Sequence, residues 1–134
     1  MQTTHISNPS TEHAEWLSEL GFHKDELAFF KKQLTEVAGK NTAVQIMKLV
    51  EHFENQFLVR TENIDILHHD INEHLGKIAE GLQEKTNLLL REEASLHKVL
   101  KERFNTESKL FAELKVEFNT FLSKVLYVNL TFPQ

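Results

Sequence analysis

The feature that most limits what this chain can fold into is an apolar pattern from Ile46 to Val128 that returns in alternating steps of three and four. Steps of that size come back to one face of a helix, whereas a strand repeats every second residue. One stripe carries Ile46, Val50, Phe53, Phe57, Arg60, Ile64, Leu67, Ile71, His74 and Ile78. The next carries Leu90, Glu93, His97, Leu100, Phe104, Glu107, Phe111, Leu114, Phe118, Phe121, Val125 and Val128. With 4 Gly and 2 Pro in 134 residues, and each Pro near an end, little interrupts these runs. Few, long helices are therefore expected.

A third stripe precedes them. Asn8-Pro9-Ser10 is a helix start, and His13, Trp16, Leu20, His23, Leu27, Phe30, Leu34 and Val37 follow in the same steps. Glu12, Glu15 and Glu19 suit the positive end of that helix. Gly39 is expected to end it in a left-handed cap, and Phe22 and Phe29 to widen its apolar face. Thr42 to Gln45 has the form of a capping box for the second helix. The expected fold is all-α: an antiparallel three-helix bundle built on a long helical hairpin, with helices over 10–38, 42–81 and 88–128. Residues 1–9 are expected to be loose, 1–134 to form a single domain, and the third helix to fray into an extended tail after Tyr127. The alternative is a four-helix up-and-down bundle with a break near 60–63, but the stripe keeps its phase through Thr61-Glu62-Asn63.

In an antiparallel hairpin, facing residues have numbers with a constant sum, about 167 or 168 if the turn centres on Gln83-Glu84. That sum places apolar residues opposite each other along most of the seam, Phe57 with Phe111 and Phe53 with Leu114 among them. It also places Arg60 opposite Glu107 and His74 opposite Glu93. Arg60 and Glu107 read as a buried structural ion pair that fixes alignment. A sum near 80 across the Gly39 loop sets His13 beside Leu67 and starts the first helix level with Asp70. The hairpin tip beyond, with Ile71, Leu75, Ile78, Leu82, Leu88, Leu89, Leu90 and Leu96, would then be bare.

The same level holds the only chemical clue. His74, Glu93 and His97 point into the seam, with His13 about a turn away and Asp70 at its flank. Imidazole and carboxylate together are ligands for zinc, iron or manganese, and bundle interiors build metal sites from them. The spacing is not diagnostic: Glu93 and His97 are four apart and occur once, and no HExxH is present. The structural alternative is a His74–Glu93 hydrogen bond with His97 satisfied at its edge. His52 and His69 fall on outward, solvated positions.

Composition removes other classes. There is no Cys, so thiolate sites, disulfides and cysteine nucleophiles are excluded. A formal charge of -5 with no Lys/Arg run argues against nucleic acid, and the 8 His would reverse that sign if all were protonated. No run approaches the ~18 apolar residues of a membrane span, and MQTTHISNPS lacks the form of a secretory signal. No Gly-rich phosphate loop, nucleophile elbow or triad context is present, so catalysis is not expected.

The stretches EHAEWLSELGFHKDELAFF and VEHFENQFLVRTENIDILHHDINEH resemble small all-helical bacterial proteins of no known activity, over roughly the first half of the chain. The resemblance implies a bacterial, cytoplasmic protein and assigns no functional residue. The leading expectation is a non-enzymatic structural or interaction module without a cofactor. It would self-associate as a homodimer through the hairpin tip, or take a protein partner there. The alternative is a metal-binding bundle using a divalent transition metal at the His/Glu cluster.

Overall fold

The computed structural model describes the backbone of residues 9–80 and 87–131, with side chains over 11–78 and 90–126. Three helices account for nearly all of it: α1 (Pro9–Lys40), α2 (Val44–Glu80) and α3 (Asn87–Thr131). α2 is unbroken through residues 60–63, so the bundle has three helices rather than four. The expectations for residues 1–8, for the turn over 81–86 and for the side chains of Leu82, Leu88, Leu89 and Val128 lie outside the described residues.

Each stripe is buried as a stripe. In α1, His13, Trp16, Leu20, His23, Leu27, Phe30 and Leu34 all face the core. In α2 the buried set runs from Ile46 to His74, Arg60 included, and in α3 from Leu100 to Val125, Glu107 included. Toward the 41–43 connection the core is aromatic. Phe118 lies 5.0 Å from Phe57 edge-on and 5.2 Å from Phe30, and Phe53 lies 5.0 Å from Phe121. Each such ring contributes roughly 1.5–3 kcal/mol on burial. Toward the other end the core becomes polar, and His13, His74 and His97 replace the phenylalanines.

The helix ends differ from expectation. No described glycine has a positive φ, and α1 continues through Gly39 to Lys40. Asn41, 2% exposed, stops it instead: its Nδ2 donates to the Val37 carbonyl at 2.7 Å, satisfying a group that a left-handed glycine would otherwise help to pair. α2 begins at Val44, and the Ala43 carbonyl accepts the first bond from Met47 N–H at 3.0 Å, so Thr42 is not its cap. α3 stays helical to Thr131, past the point where an extended tail was expected. Phe22 and Phe29 are 66% and 58% exposed, because α1 meets both neighbours through a single stripe and these two rings lie outside it.

The longer α1 changes the register. Antiparallel partners between α1 and α2 have numbers that sum to 87–89: His13 with His74, Phe30 with Phe57, Lys24 with Asp65. The connection centres on residue 42, against the 40 that a sum of 80 implies, and side chains lean toward the N-terminus of their own helix, which raises the sum further. His13 therefore meets His74 rather than Leu67. α2 and α3 show the same lean: Arg60 meets Glu107, but the rings pair as Phe57 with Phe118 and Phe53 with Phe118 and Phe121 rather than Phe57 with Phe111. α1 and α3 run parallel at a steady offset of 88, as in Trp16 with Phe104, His23 with Phe111 and Phe30 with Phe118. Because α1 reaches higher than expected, Ile71 is fully buried and Leu75 and Ile78 are half-buried. Leu90 and Leu96 stay exposed at 44% and 39%.

Candidate metal centre

One imidazole from each helix converges near the start of α1. His13, His74 and His97 each bring a ring nitrogen to within 4.8 Å of the others. The α1 stripe delivers His13 one turn before Trp16, the α2 stripe delivers His74 one turn after Ile71, and the α3 stripe delivers His97 one turn before Leu100. His13 is fully buried and His74 is 2% exposed, while the His97 side chain keeps 18%. The rings pack at 4.8 Å (His13 with His97) and 5.0 Å (His13 with His74). Trp16 closes one side, stacked on His97 at 5.0 Å and tilted against His13 at 4.9 Å.

Polar contacts are few and directional. His97 Nδ1 lies 2.9 Å from His13 Nε2, and His97 Nε2 lies 3.1 Å from Glu12 Oε1. His13 Nδ1 and His74 Nε2 are buried without a hydrogen-bond partner among the described residues. Such orphaned nitrogens are uncommon in a folded interior. Burial, with the neighbouring charges of His97 and His74, pushes His13 down to about 4. Burial and the neighbouring His97 lower His74 as well, against the opposing charge of Glu93. Both rings are thus neutral near pH 7 and keep a lone pair for a Lewis acid.

The remaining expected ligands stand at the edge. Glu93 is half-buried on α3, one turn before His97, and acts on His74 through its charge. Asp70 is engaged elsewhere: its Oδ2 accepts from Arg103 Nη1 at 2.8 Å, and that bond holds its carboxyl below the usual range. With His69 and Glu73 it forms a second group of potential ligands, but an exposed one already tied into surface pairs. His52 faces outward as expected and pairs with Glu117 at 2.8 Å. Glu12 and Trp16 were not anticipated as neighbours of the cluster. The offset between α1 and α3 would have found them, but it requires knowing where the first turn pivots.

Midway along the bundle, Arg60 Nη1 donates to Glu107 Oε1 at 2.7 Å, with both side chains at most 10% exposed. Burial raises the Glu107 carboxyl above its ordinary range, partly offset by the charge and hydrogen bond of Arg60. The pair lies below an open groove between α2 and α3, walled by Ile66, Leu67, Val99 and Leu110. No helix of the described residues is long and apolar enough to cross a membrane. Comparison with protein-family models, curated proteins and solved structures finds no match to this chain.

Proposed function

We propose that this chain is a metal-binding helical bundle whose centre is His13, His74 and His97. The observation that carries it is the convergence of three imidazoles, one per helix, with ring nitrogens within 4.8 Å of one another in a buried site. Three imidazole nitrogens suit a borderline divalent ion such as zinc, with iron or manganese as further candidates. A tetrahedral zinc with bonds of about 2.0–2.1 Å holds its nitrogens about 3.3–3.4 Å apart, so small ring rotations complete the set. The ion would tie α1 to the α2–α3 hairpin. A cytoplasmic setting belongs to the same proposal.

Elemental analysis of untagged protein purified without chelator tests it. The expected result is one zinc, iron or manganese per chain, with a rise in Tm on adding that ion. His74→Ala should remove both. Absence of metal together with an unchanged Tm in all three ions would overturn the proposal.

A second proposal, self-association, is supported by a separate observation: Ile66, Leu90, Leu96 and Val99 are exposed by 39% or more along the outer α2–α3 face and toward the tip. Pairing of two copies there would cover them. Sedimentation at micromolar concentration checks this, and a strict monomer would remove it.

A further inference from the structure

We infer that Glu12 is the positioning residue of this centre: it fixes the tautomer of His97 so that a bare Nδ1 faces the other two imidazoles. The inference rests on the metal-binding proposal for its purpose, but its geometry stands in the protein alone. An ionised carboxylate only accepts, so at 3.1 Å the hydrogen must reside on His97 Nε2. In the neutral ring Nδ1 is then a lone pair. It accepts from His13 Nε2–H across 2.9 Å, which leaves His13 Nδ1 as the bare nitrogen that lacks a partner among the described residues. A single chain of donors therefore runs from His13 through His97 to Glu12.

Carboxylates placed behind a ligating histidine in this way orient the ring and make its other nitrogen more basic. Glu12 is well placed to stay in position. It lies in the first turn of α1, and its second oxygen is 3.7 Å from Lys101 Nζ. For a metal to take His97 Nδ1, the His13–His97 bond must open. The proton on His13 Nε2 then moves to Nδ1, or the ring turns to present its bare Nδ1. The Glu12–His97 bond survives either change, so the same tautomer serves the empty and the filled centre.

The experiment has two arms on the full chain. In the first, long-range 15N–1H spectra of chelator-treated protein near about pH 7.5 read the His97 tautomer. The expected result is a protonated Nε2 and a bare Nδ1 in the wild type, and a mixture of tautomers in Glu12→Ala. In the second, Co2+ is titrated against the fluorescence of Trp16, the single tryptophan of the chain. Affinity should fall by about 10- to 100-fold in Glu12→Ala and by less in Glu12→Gln, whose side-chain oxygen still accepts. A proton on His97 Nδ1 in the wild type would overturn the inference. So would a Glu12→Ala variant whose tautomer and Co2+ affinity both match the wild type. If Co2+ and Zn2+ leave wild-type Trp16 unchanged, the metal-binding proposal fails, and the tautomer arm still decides the role of Glu12.

Discussion

Stranding a charge in the core tests the ion pair at the scale of single residues. Arg60→Met leaves the Glu107 carboxylate buried without its donor, and urea unfolding should show a loss of roughly 3–5 kcal/mol. The double variant Arg60→Met with Glu107→Leu removes both charges and should recover most of that loss, because an apolar pair of similar volume is often as stable as an ion pair. His23 contributes to the pH dependence alongside His13 and His74, whose burial lowers them too. It lies stacked on Phe111 at 4.2 Å, and burial lowers its pKa below 6.5 against the opposing charges of Glu19 and Glu26. The folded state therefore holds fewer protons than the unfolded chain once the pH drops below 6.5. Stability is complete above that pH and declines as the pH falls toward the folded-state value. Melting curves of chelator-treated protein from about pH 7.5 to 5 should show this decline, and His23→Gln should make it shallower. The sequence marked His13, His23, His74, Arg60 and Glu107 as stripe positions, and each lies buried. It could not mark Glu12, which lies off the stripe and reaches the cluster only through contact with a neighbouring helix.

At the scale of elements, the ends of helices were less legible than their middles. A stripe repeats over many turns, so one misplaced residue does not hide it. A cap is one residue and one bond. Gly39 carries the composition of a helix stop, yet the stop is made by Asn41, whose amide reaches back to Val37. Asn41→Ala should cost about 1 kcal/mol by urea unfolding, the ordinary worth of one hydrogen bond at a helix end. Gly39→Ala should be neutral or slightly stabilising, since this glycine is helical and a Cβ there meets nothing within 4 Å. A left-handed Gly39 would give the opposite sign, so the same unfolding curves separate the two. Moving the pivot by a few residues has consequences far from the loop. It lifts α1 along α2 and brings His13 level with His74.

For the molecule as a whole, a shared ion would act as a clamp on three helices that otherwise meet through side-chain packing. Binding only the folded state at a free ion concentration 100-fold above its Kd adds about 2.7 kcal/mol. Zinc should accordingly raise Tm by several degrees in the wild type, EDTA should reverse the rise, and His13→Ala, His74→Ala and His97→Ala should each abolish it. The aromatic end of the bundle should be indifferent to metal. Phe118→Ala there should cost about 3–5 kcal/mol with or without zinc, because its contacts with Phe30, Phe53 and Phe57 lie at the opposite end of the core from the three histidines.

The sequence by itself determined most of the residues that face inward, Leu90, Phe22 and Phe29 excepted, since burial in a helical bundle follows a period written directly into the chain. It also determined that Arg60 meets Glu107, although the rings beside that pair meet at larger sums. Only the tertiary structure decided which imidazoles share a site. The lean of side chains along a helix, the point where α1 turns into α2 and the parallel offset of α1 on α3 are properties of packed pairs, and no stripe read from one helix alone contains them.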